Sequence, residues 1–474
     1  MKTKRYLLAG ALILSLSTSA FAQDNGYEAA LNPIISALKA SPNDPKAGKD
    51  AIKAYMKAFK KDEKALVALG NVYLSQRNYQ GAKDVANLVV TNKKMNGSLG
   101  YLLLGDIAAL EDSIGNAGAA AQQYQTAISL DPHNVEAYER YARVYRHVNS
   151  DVAVQKLEEL RQIEPNYPVE ATAAEIMFND RKYTEALEWY NKANTSYLTE
   201  DHFYRYGYTA VLCGKYDKAI EVANTGLQKF PGSEYVSRVG MMGATEKGDY
   251  AKALSFASTM FAGSGQKVAN DYAVYGKALC GNKQYDEALT NLNKALEMDK
   301  DNIEPLKAIA DVYAAQGNED KSLEVQMEYL SKSKRANSND WLKLAQTYVD
   351  KANKAAEAKN IEERNAALDK AIGVYESMLP KFPSISDYIW LNQSEAARLK
   401  NDADQVAAIY KKVAAFEEAK PSLNAEAKTY LEMVYYGLGY YYSKKGDKAT
   451  GDSYFKKVLE INPNHPNAKE ALGM

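Results

Sequence analysis

The feature that most constrains this chain is a repeat. The pattern Tyr-x-x-Ala-aliphatic recurs as Tyr183/Ala186/Leu187, Tyr216/Ala219/Ile220, Tyr250/Ala253/Leu254 and Tyr285/Ala288/Leu289, with tyrosine spacings of 33, 34 and 35 residues. Tyr79/Ala82 stands 104 residues before Tyr183, about three further periods. Pro132 and Pro165 lie 33 apart, and Pro231 another 66 on. A fixed period of this length means one supersecondary unit stacked many times. Within a unit the period is helical: Leu66, Leu69, Gly70 and Tyr73 fall at i, i+3, i+4 and i+7, a polar turn holds Asn78, and Ala82, Ala86 and Val89 mark a second face. Neither short helix can bury its face alone, so stacked neighbours must supply the core.

The residues at fixed places in the units carry a resemblance. The unit 200–233 has Phe203, Tyr206, Gly207, Tyr216, Ala219, Ala223, Gly226 and Pro231. The unit 269–302 has Tyr272, Tyr275, Gly276, Leu279, Tyr285, Ala288, Leu292 and Ala295. The unit 432–465 has Tyr435, Leu438, Gly439, Tyr442, Phe455, Val458 and Pro463, with Gly451 where the pattern wants Ala. Bulky, small and aromatic residues in this order resemble the tetratricopeptide repeat family. The resemblance implies an all-α fold, a right-handed α-solenoid of about eleven to twelve helix-turn-helix repeats. It covers roughly 63–465, in units 63–97, 98–134, 135–166, 167–199, 200–233, 234–268, 269–302, 303–336, 338–385, 387–422 and 432–465. Residues 23–62 read as degenerate N-terminal helices, 63–336 as a first lobe and 337–474 as a second, ending in a capping helix over 466–474. The polar stretch Ser331–Asn339 is the hinge candidate between them. The unit 98–134 needs about three extra residues around Asp112–Asn116. The unit 338–385 needs about fourteen, in the helix-favouring stretch Asp350–Asn365, which predicts lengthened, projecting helices at about 350–365.

Composition removes whole function classes. Fifty-nine Lys+Arg against 60 Asp+Glu leave a net charge of −1, without the basic excess of a nucleic-acid binder. Two cysteines exclude a disulfide framework and a four-cysteine zinc site. Cys213 and Cys280 lie 67 residues, or two periods, apart. At roughly 10 Å per stacked pair that is about 20 Å, which predicts two free, largely buried thiols. The 36 Tyr against 10 Phe and 3 Trp are explained mostly by packing positions of the units, which absorb Tyr124, Tyr138, Tyr190, Tyr206, Tyr348, Tyr375 and Tyr435 among others.

The N-terminus reads as an address. Lys2, Lys4 and Arg5 precede an apolar run to about Ser19, then Ala20-Phe21-Ala22 and Gln23. These are the three parts of a secretory signal peptide over 1–22, and the run is shorter than the ~20 residues of a membrane-spanning helix. Cleavage after Ala22 leaves Gln23, not a cysteine, so the mature chain is expected to be exported, periplasmic and unlipidated, free or peripheral to the envelope, with no transmembrane segment.

No phosphate loop, dinucleotide fingerprint, zinc-protease helix or nucleophile elbow is present. His133, His147, His202 and His465 sit near helix ends, where capping or solvated histidines are usual. Gly240-x-x-Gly243 reads as helix packing, and Glu158-Glu159 and Glu362-Glu363 as solvated faces. No catalytic residue, metal or cofactor is expected. The resemblance instead places function on the inward face of the first helix of each unit. There stand Arg140, Arg143, Arg146 and His147, then Tyr204, Arg205 and Tyr208, then Tyr235 and Arg238, and later Tyr388, Asn392, Tyr436 and Tyr440. Arg140, Arg143, Tyr204, Arg205, Tyr208, Tyr235 and Arg238 are the candidate partner-binding set, a basic groove for an acidic or C-terminal peptide; partial packing between helices is the competing explanation. The carboxylate clamp of chaperone-binding family members is not supported, since Val67 stands where its lysine belongs, although Asn71 fits. The expected function is a periplasmic scaffold or adaptor for protein or peptide partners in an envelope-associated assembly. A glycan-binding accessory protein is the alternative, because exposed tyrosines stack on sugar rings.

Overall fold

The computed structural model describes residues 26–41, 44, 46–111, 116–146 and 148–474. The signal-peptide reading of 1–22, most of the expected insertion at 112–116, and His147 lie outside the described residues. The chain forms two compact units, one ending at Gly265 and one starting at Gln266. The lobe boundary expected at 336/337 falls inside the second of these.

The first unit opens with α1 (Tyr27–Ala40) and α2 (Lys49–Phe59). Six helix pairs follow: α3 (Glu63–Ser75) with α4 (Tyr79–Val90), α5 (Ser98–Glu111) with α6 (Ala117–Leu130), α7 (Val135–Tyr145) with α8 (Ser150–Ile163), α9 (Val169–Asn179) with α10 (Tyr183–Lys192), α11 (Glu200–Leu212) with α12 (Tyr216–Lys229), and α13 (Glu234–Lys247) with α14 (Tyr250–Ala262). The second unit has five pairs: α15 (Ala269–Gly281) with α16 (Tyr285–Met298), α17 (Pro305–Ala315) with α18 (Glu319–Lys332), α19 (Ser338–Glu357) with α20 (Ile361–Met378), α21 (Ser386–Leu399) with α22 (Ala403–Glu418), and α23 (Ala425–Lys444) with α24 (Lys448–Ile461). The last helix, α25 (Pro466–Leu472), lies in the expected cap. There is no strand among the described residues, and each unit is an α-solenoid of stacked helical hairpins.

The turn inside each pair is specified locally. Asn78, Asn116, Asn149, Asp249, Asn318, Asn360, Asp402 and Asp447 cap the second helix, each accepting a hydrogen bond from a backbone N–H of its first turn. The residue just before the second helix's cap position is left-handed in nine pairs: Arg77, Arg181, Gly214, Gly248, Lys283, Gly317, Lys359, Asn401 and Gly446. That conformation reverses the chain in the fewest residues and favours glycine.

Close approach requires small residues. A Cβ on Gly207 would lie 2.6 Å from Val239 of the next pair. Gly451, where the family pattern wants Ala, is explained the same way: a Cβ there would run into Ser443 Oγ and lie 3.0 Å from the Gly439 carbonyl oxygen. Gly240 and Gly243 pack against Phe256, Ala223 and Ala219, as the sequence predicts. Aromatic residues fill the layers: Tyr124, Tyr190 and Phe203 are buried in the first unit, and Trp341 and Tyr348 in the second. Polar bonds also reach back one period. Asn134 donates to Ser98 Oγ at 3.0 Å, Lys156 to Gln125 at 2.9 Å and Lys182 to Ser150 at 2.6 Å. Lys351 meets Asp320 at 2.5 Å, and within the last pair Asn462 donates to Glu432 at 2.8 Å.

The lengthened pair is helical as expected. It buries Ala352, Ala355, Ala367 and Leu368, so its extension carries a core of its own. The last pair departs from the sequence reading. Its first helix begins at Ala425, seven residues before the expected 432, because Asn424 caps it by accepting from the Ala427 N–H. Cys213 and Cys280 are free, and both are half-buried rather than largely buried: each sits at or near the end of a first helix, where the core tapers.

Candidate functional site

The first helices α9, α11 and α13 present a continuous aromatic run. Tyr204 and Tyr208 are one helical turn apart on α11 and stack with centroids 6.0 Å apart and planes within 6°. Phe178 on α9 lies 6.3 Å from Tyr208, and Tyr235 on α13 meets Tyr204 edge-on at 6.0 Å. Arg238, one turn after Tyr235, lies 5.6 Å from that ring, a cation–π distance. Tyr235 is 55% exposed, while Tyr204, Tyr208 and Phe178 are half-buried. Four of the seven sequence candidates, Tyr204, Tyr208, Tyr235 and Arg238, thus meet in one cluster. Phe178 was not among them.

The other three arginines are engaged with carboxylates. Arg205 binds Asp201 at 2.6 Å and lies 3.7 Å from Glu175. Burial opposes its charge, but Asp201 and Glu175 more than offset that and hold the guanidinium above its usual range. Arg143 pairs with Glu139 at 3.5 Å, and Glu139 also accepts a 2.8 Å bond from the Tyr167 hydroxyl. Arg140 pairs with Asp106 on α5 and with Glu136 at 2.8 Å. Asp106 has 13% of its side chain exposed and accepts from Tyr124 at 2.9 Å. Burial pushes its carboxyl above the usual carboxylate range, against the attraction of Arg140 and the Tyr124 hydrogen bond. For Arg140 burial works the other way, yet Asp106 and Glu136 keep it strongly cationic.

The expected basic groove is therefore corrected. Arg140, Arg143 and Arg205 face five carboxylates, Asp106, Glu136, Glu139, Glu175 and Asp201, so these residues leave no basic excess on this face. The carboxylates were legible in principle, since Asp106 lies 34 residues before Arg140 and Glu175 lies 30 before Arg205. Arg146, also on the expected face, is buried, and burial with the neighbouring Arg143 lowers its pKa.

Tyr436, expected to face inward, instead stacks on His465 at 5.0 Å. His202 and His465 are helix caps: His202 closes a capping box with Thr199, and His465 accepts from the Ala468 N–H. His133 pairs with Glu164 at 2.9 Å. Among the described residues no group of three His, Cys, Asp or Glu is placed to hold a metal ion, and no helix is long and apolar enough to cross a membrane.

Stacked helical hairpins with capped, left-handed turns and an open aromatic face define a helical-repeat protein of the kind that works through surfaces. Family comparison agrees: residues 276–317 match the TPR repeat and residues 434–465 the tetratricopeptide repeat. The chain carries tetratricopeptide repeats in these two segments. No curated protein matches it. Among solved structures it is similar to the C-terminal part of a TPR repeat-containing protein from Cytophaga hutchinsonii, at 21% identity over 57% of this chain and 100% of that one, with a TM-score of 0.32. It is also similar to a tetratricopeptide repeat protein from Parabacteroides merdae, at 16% identity over 53% and 98%, TM-score 0.34. Pseudomonas aeruginosa pilF is a further similar structure, at 14% identity over 53% and 96%, TM-score 0.35. Tetratricopeptide repeats bind proteins, so the chain is a protein-interaction scaffold.

Proposed function

We propose that this scaffold is exported and holds an extended polypeptide partner across α9, α11 and α13, in an envelope-associated assembly of the periplasm. The basic, apolar and small-residue order of residues 1–22 supports export, and Gln23 at the cut argues against lipidation. The observation that carries the binding reading is the run Phe178–Tyr208–Tyr204–Tyr235. Rigid rings with polar tips are what interface hot spots are made of. With Arg140, Arg143 and Arg205 neutralised by carboxylates and Arg238 seated over Tyr235, the segment that fits is apolar rather than strongly acidic. Nothing in the arrangement calls for catalysis: Arg205 beside the rings is salt-bridged to Asp201, and Arg238 stands over the Tyr235 ring.

The test is crosslinking capture in the native envelope, with wild type and Tyr204→Ala/Tyr235→Ala compared. The variant should keep its helicity and lose specific polypeptides, with affinity falling by more than about 1 kcal/mol, or roughly fivefold. A folded variant that captures the same polypeptides equally well removes this surface from consideration. Intact mass of the secreted protein should begin at Gln23; retention of 1–22 defeats the export reading.

A further inference from the structure

The second unit holds a cavity of about 320 Å³ between α19 and α21, floored by α20. That is within the range of small-molecule sites, ~300–1,000 Å³. Its polar lining is Asn339, Lys343, Gln346, Tyr375, Tyr388 and Asn392. Tyr375 is 3% exposed, so its ring is fixed by packing, while its hydroxyl makes no hydrogen bond among the described residues and is not sealed off from solvent. A phenol held by packing at the wall of a cavity, with its hydroxyl unpaired, is placed to donate to a bound ligand. Burial, helped by the neighbouring Tyr388, pushes its pKa up to about 12, so it keeps its proton.

The other groups are also uncommitted. No hydrogen bond or ion pair holds the Asn339 or Lys343 side chain among the described residues. Asn392 donates to the Tyr388 carbonyl at 2.8 Å and Gln346 to Asp350 at 2.8 Å, which leaves both amide oxygens free as acceptors. Tyr388 is 45% exposed and offers a ring face. Lys343 is the one charged residue of the lining.

We propose that this cavity binds an acidic sugar, a hexuronate unit of a glycan. A sugar ring has an apolar face that stacks on an aromatic ring, and a rim of hydroxyls that both donate and accept. The Tyr388 face suits the first, and the amides of Asn339, Gln346 and Asn392 with the Tyr375 hydroxyl suit the second. The unpaired Lys343 ammonium selects a carboxylate on the sugar. A peptide terminus would use the same ammonium, but it lacks the ring of hydroxyls that the three amides and the phenol match. This site is separate from the aromatic run of the first unit, and the two stand or fall independently.

The experiment is calorimetric titration of the full secreted chain with a digalacturonate, with the neutral galactose disaccharide, and with a hexapeptide bearing a free C-terminus. The digalacturonate should bind at least about tenfold more tightly than the neutral sugar, the scale of one charge-assisted hydrogen bond. Lys343→Gln should remove that preference and leave weak binding of the neutral sugar. Tyr375→Phe keeps the buried ring and should lower affinity by about 2–10-fold, one neutral hydrogen bond. Its melting temperature reports that the fold survives. The proposal is overturned if the digalacturonate gives no binding at millimolar concentrations, if Lys343→Gln binds it as well as wild type, or if the peptide binds more tightly than the sugar.

Discussion

Replacing Arg140 by Met decides whether that residue is a strut or a ligand. The Arg140 side chain is 24% exposed and its partner Asp106 13%. Arg140→Met keeps the aliphatic stem and leaves Asp106 buried with only the Tyr124 hydroxyl for company. Stranding one member of a buried pair costs about 3–5 kcal/mol. Glu136 adds little, because it is 56% exposed. For a cooperative unit of this size, about 2–4 °C per kcal/mol gives a fall of about 6–20 °C in the transition of the first unit at neutral pH. The loss must also titrate. Burial already holds Asp106 above the ordinary carboxyl range, and without Arg140 it rises further. The unfolded chain releases this proton near pH 3.9. Between that value and the raised folded pKa, stability falls by up to about 1.4 kcal/mol per pH unit as pH rises. The deficit of Arg140→Met should therefore close on acidification toward pH 4. Asp106→Asn/Arg140→Met keeps an acceptor for Tyr124 and should regain most of the neutral-pH loss. The assay is urea unfolding followed by circular dichroism at pH 7 and pH 4. If Arg140→Met is as stable as wild type at pH 7, Asp106 is solvated, the strut argument is wrong, and Arg140 is free to bind a partner.

Two further outcomes follow from the turns and the close contacts. Arg77, Arg181, Lys283 and Lys359 occupy left-handed positions where the equivalent turns of other pairs use Gly214, Gly248, Gly317 and Gly446; Lys283→Gly should stabilise its unit by about 0.5–1 kcal/mol, since relief of the left-handed backbone exceeds glycine's entropic cost, and a lower denaturation midpoint would contradict it. Gly451→Ala restores the family pattern but puts a methyl against Ser443 and the Gly439 carbonyl, so it should destabilise the second unit by about 1–3 kcal/mol; a raised melting temperature would show that α23 and α24 can separate freely.

The helix pairs were legible because their signal is local and periodic. Leu66, Leu69, Gly70 and Tyr73 name a helix face without reference to anything distant, and helices begin at Glu63, Ser98, Glu200 and Glu234 where the repeat pattern starts its units. The start at Ala425 was missed because Asn424 supplies a cap that the repeat pattern does not contain. The arginine-rich face was legible in register but not in charge. Sorting the register by cations alone left out Asp106, Glu139 and Glu175, which answer those cations from the same or the preceding pair. The cavity beside Tyr375 left no sequence signal at all. Its tyrosine reads as a packing residue, which it is, and only its hydroxyl distinguishes it.

The bonds that reach back one period, Asn134 to Ser98, Lys182 to Ser150 and Lys351 to Asp320, tie three of the hairpins to their immediate predecessors. A stack held this way yields under tension one hairpin at a time. Each release frees about 34 residues, on the order of 12 nm of extended chain at roughly 3.5 Å per residue. Because neighbouring hairpins share a core, each release also uncovers the face of the next hairpin, so lengthening under load should proceed outward from the first break.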